Sequence, residues 1–254
     1  MDINRRKFLK AGGVLALGLS IAPAKSVLAG VKGKYAPGPN ALTAKNWAMV
    51  VDMNKLEKDV EACTMACHKE HNVPNIDNKK EEVKWIWTDK YGHLFHDNKH
   101  DFMNKEKEHR HFLALCNQCE NPVCVRVCPT KATFKNKEGI IMMDYHRCIG
   151  CRYCMAGCPY GARSFNFKDP RPYIEEINPN YPTRTKGVVE KCNFCSERLA
   201  KGLLPACVEA STNGGLVFGD LDDPNSEVRK VLDTQFTVQR KPSLGTKPKV
   251  FYIL

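Results

Sequence analysis

The chain has 254 residues, and its 43% hydrophobic and 26% charged residues exclude an intrinsically disordered protein. A mean hydropathy of −0.43 excludes a membrane protein with several spans. Two features need an explanation, a formal net charge of +11 and the presence of thirteen cysteines. The positive charge is compatible with nucleic-acid binding, and that interpretation has to be weighed against the cysteines.

Residues 4–10, at the start of the chain, are rich in Arg and Lys and precede a moderately apolar run, residues 11–22. Twelve residues are too few to cross a bilayer about 30 Å thick, but they suit the core of a signal peptide. The pair Arg5 and Arg6, with Phe8 and Leu9, resembles a twin-arginine export signal. We therefore predict a signal peptide over residues 1–29 and an extracytoplasmic (periplasmic) location. A basic amphipathic N-terminus without an export role and an uncleaved membrane anchor are the alternatives.

Two motifs lie between this segment and the main cysteine runs. Trp85 and Trp87 alternate within residues 83–88, which predicts a strand with one buried face. A charged stretch over residues 89–111 follows and carries five histidines: His93, His96, His100, His109 and His111. Their spacing fits no metal-ligand pattern well, so we expect a solvated loop or docking surface there.

The most specific motif is a run of four cysteines, C-x2-C-x2-C-x3-C, which Pro159 follows. This run is typical of bacterial ferredoxins, in which the first three thiolates hold one [4Fe–4S] cluster and the fourth reaches a second cluster. The spacing predicts a helical segment that begins at the fourth cysteine and keeps the two clusters close. The residues concerned are Cys148, Cys151, Cys154 and Cys158.

A partner run, C-x2-C-x4-C-x3-C, is formed by Cys116, Cys119, Cys124 and Cys128 and also precedes a proline. Exchanging the fourth ligands gives a first site of Cys116, Cys119, Cys124 and Cys158, and a second site of Cys128, Cys148, Cys151 and Cys154. Between the runs, residues 132–134 and 140–143 flank Asn-Lys-Glu-Gly, which predicts a β-hairpin. Residues 116–168 are thus predicted to form a ferredoxin lobe with two clusters.

The remaining cysteines fit the same rule with gaps. A third site is predicted at Cys67, Cys192, Cys195 and Cys207. A fourth site would need cysteines at four positions, but only Cys63 is one; the others are Glu57, Val60 and Ser211. All three substitutions fall on one site, so we predict three clusters, a vacated fourth position and Cys63 as a buried residue that binds no metal.

Three clusters also account for most of the charge. Residues 1–29 carry +4, from five basic residues and Asp2. Each oxidised cluster with four thiolates contributes about −2, so three of them nearly offset the remaining positive charge. We therefore expect no nucleic-acid partner.

Residues 46–254, with these cysteine runs, resemble the four-cluster ferredoxin-type electron-transfer subunits of membrane redox complexes. That family includes the iron–sulfur subunits of formate dehydrogenase, dimethyl sulfoxide reductase and polysulfide reductase. The chain is most similar to the DsrO subfamily, the extracytoplasmic subunits of the DsrMKJOP complex associated with dissimilatory sulfite reduction. The segments that carry this resemblance are 47–52 (WAMVVD), 66–74 (ACHKEHNVP), 144–151 (DYHRCIGC), 183–192 (TRTKGVVEKC) and 244–248 (LGTKP).

The resemblance implies an α+β fold of two pseudo-symmetric bacterial-ferredoxin-like lobes, with short hairpins, short helices and long loops. The first lobe is residues 116–168; residues 46–75 and 187–220 form the second, and the rest of 30–254 supplies loops and a C-terminal docking extension. The implied partners are an NrfD-like, quinone-reactive membrane subunit and a multihaem cytochrome c or a molybdopterin protein. In this family the clusters form a row along which electrons pass, and the vacated cluster lies at one end of that row. We therefore expect a partner to approach the third site directly.

No nucleophile–base set, phosphate loop or substrate motif appears, so we predict an electron-transfer subunit without substrate chemistry of its own, serving sulfate respiration. The alternative with the same chemistry is the electron-transfer subunit of a molybdopterin oxidoreductase. A zinc-stabilised structural protein and a disulfide-bonded protein are alternatives of other classes.

Two local alternatives also remain open. Haem c could attach at Cys63, Cys67 and His68, although the C-x3-C-H spacing is one residue too long. Glu57 or Ser211 could act as oxygen ligands beside Cys63.

Overall fold

Short elements make up the fold, as a computed structural model of residues 37–98 and 100–254 shows. The described residues contain the strands β1 (Trp47–Asp52), β2 (Ile86–Lys90), β3 (His111–Leu115), β4 (Thr133–Lys135), β5 (Ile141–Met143), β6 (Ser164–Phe165), β7 (Val189–Glu190), β8 (Leu216–Asp220) and β9 (Val250–Ile253). The α-helices are α1 (Met53–Leu56), α2 (Val60–Glu70), α3 (Tyr91–Leu94), α4 (Lys105–His109), α5 (Val123–Arg126), α6 (Tyr153–Ala156), α7 (Ser196–Leu199), α8 (Ala206–Glu209) and α9 (Glu227–Thr234). This mixture agrees with the predicted α+β class.

The pseudo-symmetry of the two lobes stays a prediction. The predicted signal peptide lies outside the described residues. Among the described helices, none has the length and apolar character that a bilayer crossing requires.

The main sheet has the strand order β8–β1–β9, with β1 at its centre. Every residue of β1 is buried, which fits its nearly unbroken apolar sequence. Val50 lies opposite Val217 in the antiparallel pair with β8 and opposite Phe251 in the parallel pair with β9. On one face of the sheet, Met49 and Val51 join the main core. On the other face, Ala48 and Val50 pack with Val228 of α9.

Helix α2 carries one of the predicted ligands and runs from Val60 to Glu70. Good helix formers such as Ala62, Met65 and Ala66 favour it. The helix ends at His71, and Asn72 adopts the left-handed region at φ 52° before Pro74. An asparagine in this conformation followed by proline is a common way to end a helix. Its buried side faces α8 through Cys63 and Cys67.

The predicted hairpin between the two cysteine runs is present as β4 and β5, which pair antiparallel with Thr133 opposite Met143. A second antiparallel pair joins β6 to β7 with Ser164 opposite Glu190. Because β6 closes the first predicted lobe and β7 opens part of the second, this pair connects the two halves. It places the loop before Cys192 beside the first lobe.

The predicted strand at residues 83–88 is displaced by about half its length. Strand β2 starts at Ile86, because its partner β3 ends at Leu115, the residue that pairs with Ile86. Trp85 is fully buried just before the strand, and Trp87 is half-buried within it. The predicted strand boundaries are therefore wrong. The alternation of the two tryptophans does mark a buried segment.

The expectation of a solvated loop over residues 89–111 is wrong in part. Helices α3 and α4 occupy it, because Tyr91 and Phe95 are spaced to pack against Phe112, with ring centroids 5.6 and 5.7 Å away. The histidines stay at the surface, and His93 Nδ1 lies 2.9 Å from Asp89 Oδ1. Within the described residues, no group of these histidines converges on a metal position.

Candidate metal centres

The thirteen cysteines, all within the described part of the chain, are free thiols. The disulfide interpretation therefore has no support in the geometry. A tetrahedral zinc site needs sulfurs about 3.8 Å apart, from Zn–S bonds of about 2.3 Å. No three cysteines of the described residues come within 4.8 Å of one another; the one set of possible ligand atoms that does is His71, Cys195 and Glu197. The cysteine sets are thus too open for a single zinc ion and suit a larger inorganic core.

In each run of the first lobe, the third cysteine lies on a short helix and the fourth lies just beyond its end. Helix α5 contains Cys124, and α6 contains Cys154. The expectation that a helix begins at the fourth cysteine is therefore wrong. Pro129 and Pro159 follow the fourth cysteines and mark the end of these helices, because proline cannot continue one.

In the first site, the other three cysteines lie near Cys119. Burial raises the pKa of Cys119 to about 12, and the neighbouring Cys116, Cys158 and Cys124 add like-charge repulsion. Burial likewise raises the pKa of Cys158, whose neighbours are Cys116 and Cys124. Cys158 from the second run therefore lies near Cys116, Cys119 and Cys124 of the first run.

The thiols of the second site meet around a small cavity between the two runs. Cys128 from the first run lines this cavity together with Cys148, Cys151 and Cys154 from the second. Gly150 shapes the loop: its φ is +68°, and a Cβ there would lie 2.4 Å from the carbonyl oxygen of Gly187. Only glycine fits this position.

The third site joins distant parts of the chain. Cys67 lies on α2, Cys192 and Cys195 follow β7, and Cys207 lies on α8; all four are buried. Burial raises the pKa of Cys67 well above the usual thiol range, and Cys192 and Cys207 raise it further. Burial and the neighbouring Cys207 do the same to Cys195. Four buried thiols with raised pKa values are costly to ionise alone, and a bound cationic metal core would compensate them.

The sites also adjoin one another. The charge of Cys124 in the first site raises the pKa of Cys154 in the second, after the larger effect of burial. The charge of Cys116 in the first site acts in the same way on Cys192 in the third, where burial is again the main cause. The first site therefore neighbours both the second and the third.

A buried arginine lies between the first and second sites, and no sequence motif pointed to it. Burial lowers the pKa of Arg163, but the charges of Cys124 and Cys154 outweigh this and raise it. Its Nη1 donates to Thr133 Oγ1 at 3.1 Å. The amide of Thr133 in turn donates to Cys128 Sγ at 3.4 Å. Such charges and amide–sulfur contacts raise the reduction potential of an iron–sulfur site.

A second unpredicted group supports the third site. His71 follows α2, and its Nδ1 lies 2.9 Å from the carbonyl oxygen and 3.7 Å from the Sγ of Cys67. Its Nε2 lies 2.7 Å from Glu197 Oε1. His71 also stacks on Trp85. Burial raises the pKa of Glu197, but the hydrogen bond and charge of His71 outweigh it and hold that pKa below its usual value.

At the predicted vacated position, Cys63 is the one cysteine, beside Glu57, Val60 and Ser211. Cys63 is fully buried on α2, and burial raises its pKa to about 11. Glu57 is exposed, and Val60 packs against the core. Ser211 Oγ accepts hydrogen bonds from the amides of Gly215 at 3.0 Å and Leu216 at 3.2 Å.

The loop that follows Ser211 is held by hydrogen bonds to the carboxylate of Asp59. Asp59, directly before α2, accepts from the backbone amide of Asn213 at 2.9 Å and from its Nδ2 at 3.0 Å. Thr212 Oγ1 also donates to this carboxylate. The amides and polar groups of this loop are therefore occupied by protein atoms, and Cys63 borders the third site through Cys207.

Comparison with known proteins agrees with this chemistry. Residues 108–171 match the family of 4Fe-4S dicluster domains, which covers the first predicted lobe. The chain is 42% identical to the Hdr-like menaquinol oxidoreductase iron-sulfur subunit 1 of Archaeoglobus fulgidus, over 98% of this chain and 97% of that one.

Two further relatives show how widely the fold is used. The B subunit of polysulfide reductase from Wolinella succinogenes is 39% identical, over 83% of this chain and 95% of the relative. The iron-sulfur cluster-binding subunit of menaquinone reductase from Nitratidesulfovibrio vulgaris is 34% identical, over 82% and 88%. The protein thus belongs to the family of 4Fe–4S ferredoxin-type iron–sulfur subunits of membrane oxidoreductase complexes.

Proposed function

We propose that this chain passes electrons one at a time between two other subunits of a membrane-bound oxidoreductase and carries out no substrate chemistry itself. The observation that carries the proposal is the set of three neighbouring four-cysteine sites, in which Cys124 lies near Cys154 and Cys116 lies near Cys192. Bound [4Fe–4S] clusters supply the one-electron redox chemistry. The chain's residues fix their order, exclude water from the third site and adjust the charge around them.

The number of clusters follows from the ligands. Twelve cysteines fill three sites, and the fourth position offers one cysteine, Cys63, beside Glu57, Val60 and Ser211. The occupied hydrogen bonds of Ser211 and Asp59 support this count, because a cluster there would compete for the same amides.

The partner at the third-site end is proposed to dock in the adjoining cleft. Ala66 and Ala206, the neighbours of Cys67 and Cys207, line this cleft together with Leu203 and Ile177, which are 43% and 53% exposed. Electrons would enter or leave here because the fourth position has Cys63 as its one cysteine.

We further propose a place in the cell and a complex. The twin-arginine-like N-terminus supports a location at the extracytoplasmic face of the cytoplasmic membrane. The relatives named menaquinol oxidoreductase and menaquinone reductase support a menaquinone-linked complex. The family resemblance of the cysteine runs suggests that an NrfD-like subunit is its membrane component. Within it, we assign the chain to the DsrO subfamily, between that subunit and a multihaem cytochrome c, in sulfite-reduction-associated respiration.

The second candidate partner is a molybdopterin protein, which the family resemblance of the cysteine runs implies. Purifying the complex from its native membrane separates the two. The haem spectrum of a c-type cytochrome supports the first partner, and molybdenum without haem supports the second.

The electron-transfer role is tested on anaerobically purified protein. A low-potential donor such as dithionite should bleach the visible absorption and produce the electron paramagnetic resonance signals of reduced clusters, and reoxidation should restore the absorption. Clusters that can be neither reduced nor reoxidised would contradict the proposal.

A further inference from the structure

The second site reaches the solvent-exposed surface of the protein at Cys151. Of the thirteen cysteines, all of them in the described part of the chain, only Cys151 is exposed. Two large apolar side chains stand beside it: Ile149, 67% exposed, and Tyr153, 62% exposed. Phe167, 39% exposed, borders the same area, since the Arg152 guanidinium lies 5.9 Å from its ring. Exposed apolar groups clustered at one spot mark an interaction site.

The rim of this surface is basic. Arg147 precedes the second cysteine run with its side chain 65% exposed, and it pairs with Asp144 at 3.2 Å. Arg152 and Lys186 are exposed, and neither forms an ion pair within residues 37–98 and 100–254. Lys186 belongs to this rim because the next residue, Gly187, packs its carbonyl against Gly150 in the cysteine loop.

A solvated basic face would keep its charges apart from apolar side chains, but here they are interleaved. Arg152 lies over Phe165 at 5.4 Å, which holds the guanidinium against the aromatic surface. Apolar centres with a charged rim are typical of protein interfaces, and arginine and aromatic residues are enriched there. The rim charges of such interfaces speed the encounter with an oppositely charged partner.

Resting on the proposed function, we propose that this surface, defined by Ile149, Tyr153, Phe167, Arg147, Arg152 and Lys186, docks a redox partner protein. The partner's face carries acidic residues around its own electron-transfer cofactor. The positive charge of the rim favours an acidic partner. Because Cys151 is exposed at this surface, a partner bound there lies close to the second site. Electrons thus cross the chain between this surface and the cleft beside the third site.

The experiment compares two double variants of the holoprotein with equal changes of charge. Arg147→Glu with Lys186→Glu reverses the rim. The matched control is Lys55→Glu with Lys230→Glu, whose exposed side chains lie on α1 and α9, which pack on the main sheet. The probe is an acidic plant-type [2Fe–2S] ferredoxin, and its binding is measured by calorimetry at low and high ionic strength. Iron per chain is measured first, so that a damaged second site is recognised.

We expect the wild-type protein and the control to bind the probe at low ionic strength, with affinity falling as salt is added. The rim variant should bind at least about tenfold more weakly while retaining its iron. Ile149→Ser with Tyr153→Ser should also weaken binding but leave the salt dependence unchanged.

Four results would overturn the inference. The first is equal binding of the probe by the rim variant and the control, and the second is no binding of the probe by the wild type. The third is adsorption to anionic phospholipid vesicles, lost only in the rim variant and stronger than ferredoxin binding, which would make the surface a membrane contact. The fourth is a dimer that the rim reversal dissociates. In each of these cases the docking proposal fails, but the proposed electron-transfer function still holds if the clusters can be reduced and reoxidised. Clusters that can be neither reduced nor reoxidised would contradict the electron-transfer function itself.

Discussion

His71 and Glu197 are 126 residues apart in the chain, yet their side chains meet at 2.7 Å in a buried contact behind the third site. Both ring nitrogens of His71 face acceptors, because Nδ1 lies 2.9 Å from the carbonyl oxygen of Cys67. The pair therefore fixes the end of α2 to the loop of Cys195.

Replacing His71 with Ala should destabilise the protein and release the third site's iron. The change removes the partner of the buried Glu197, which keeps a hydrogen bond from Asn193 at 3.0 Å. A buried group left without one of its hydrogen-bond partners costs about 1–3 kcal/mol. We expect a lower thermal midpoint and a loss of about four iron atoms during storage. Adding Glu197→Gln should recover part of the loss; a double variant no more stable than His71→Ala would show that the pairing is not the cause.

Cys63 should behave differently from Cys67, although the two lie on the same helix. Cys63→Ala should keep all iron and cost about 1 kcal/mol as a small cavity, whereas Cys67→Ala should lose about four iron atoms per chain. Because the pKa of Cys63 is raised to about 11, its thiol stays protonated at pH 8 and forms thiolate only as the pH rises towards that value. Iodoacetamide should therefore leave it unmodified in the native holoprotein at pH 8. Iron loss in Cys63→Ala would contradict this assignment.

Restoring the missing cysteines should not restore a fourth cluster. The triple variant Glu57→Cys, Val60→Cys, Ser211→Cys loses the hydroxyl that accepts from the Gly215 and Leu216 amides. Unsatisfied buried donors cost about 1–3 kcal/mol each, so the variant should be less stable with unchanged iron. Ser211→Ala alone is the control for that cost. A gain of about four iron atoms in the triple variant would show that the position is still competent.

The ion pair of Arg184 and Glu190 should be needed for stability. Both side chains are fully buried and lie 2.5 Å apart. Arg184 also donates to the backbone carbonyl of Asn72 at 2.8 Å. Arg184→Gln should lower stability by about 3–5 kcal/mol, measured as the shift in a denaturation midpoint of the holoprotein. The exposed pair Lys230 and Glu227 is the matched comparison, and Lys230→Gln should change stability by less than about 0.5 kcal/mol. Equal effects would contradict the role of burial.

The sequence predicted local features well and long-range contacts poorly. The turn Asn-Lys-Glu-Gly predicted the hairpin of Thr133–Lys135 and Ile141–Met143, because turn chemistry acts over a few residues. The spacing of the second run predicts a helix that begins at the fourth cysteine, but the helix contains the third instead. Contacts such as Arg163 with Thr133 and His71 with Glu197 depend on packing between segments far apart in the chain. One sequence carries no local signal for them.

The measurement that tests the central claim most directly is iron and acid-labile sulfide per chain on anaerobically purified protein. Three clusters on twelve cysteines predict about 12 of each. A value near 16 would mean that Glu57, Cys63 or Ser211 binds a fourth cluster, and a value near 8 would mean that the third site of Cys67, Cys192, Cys195 and Cys207 is not a cluster site.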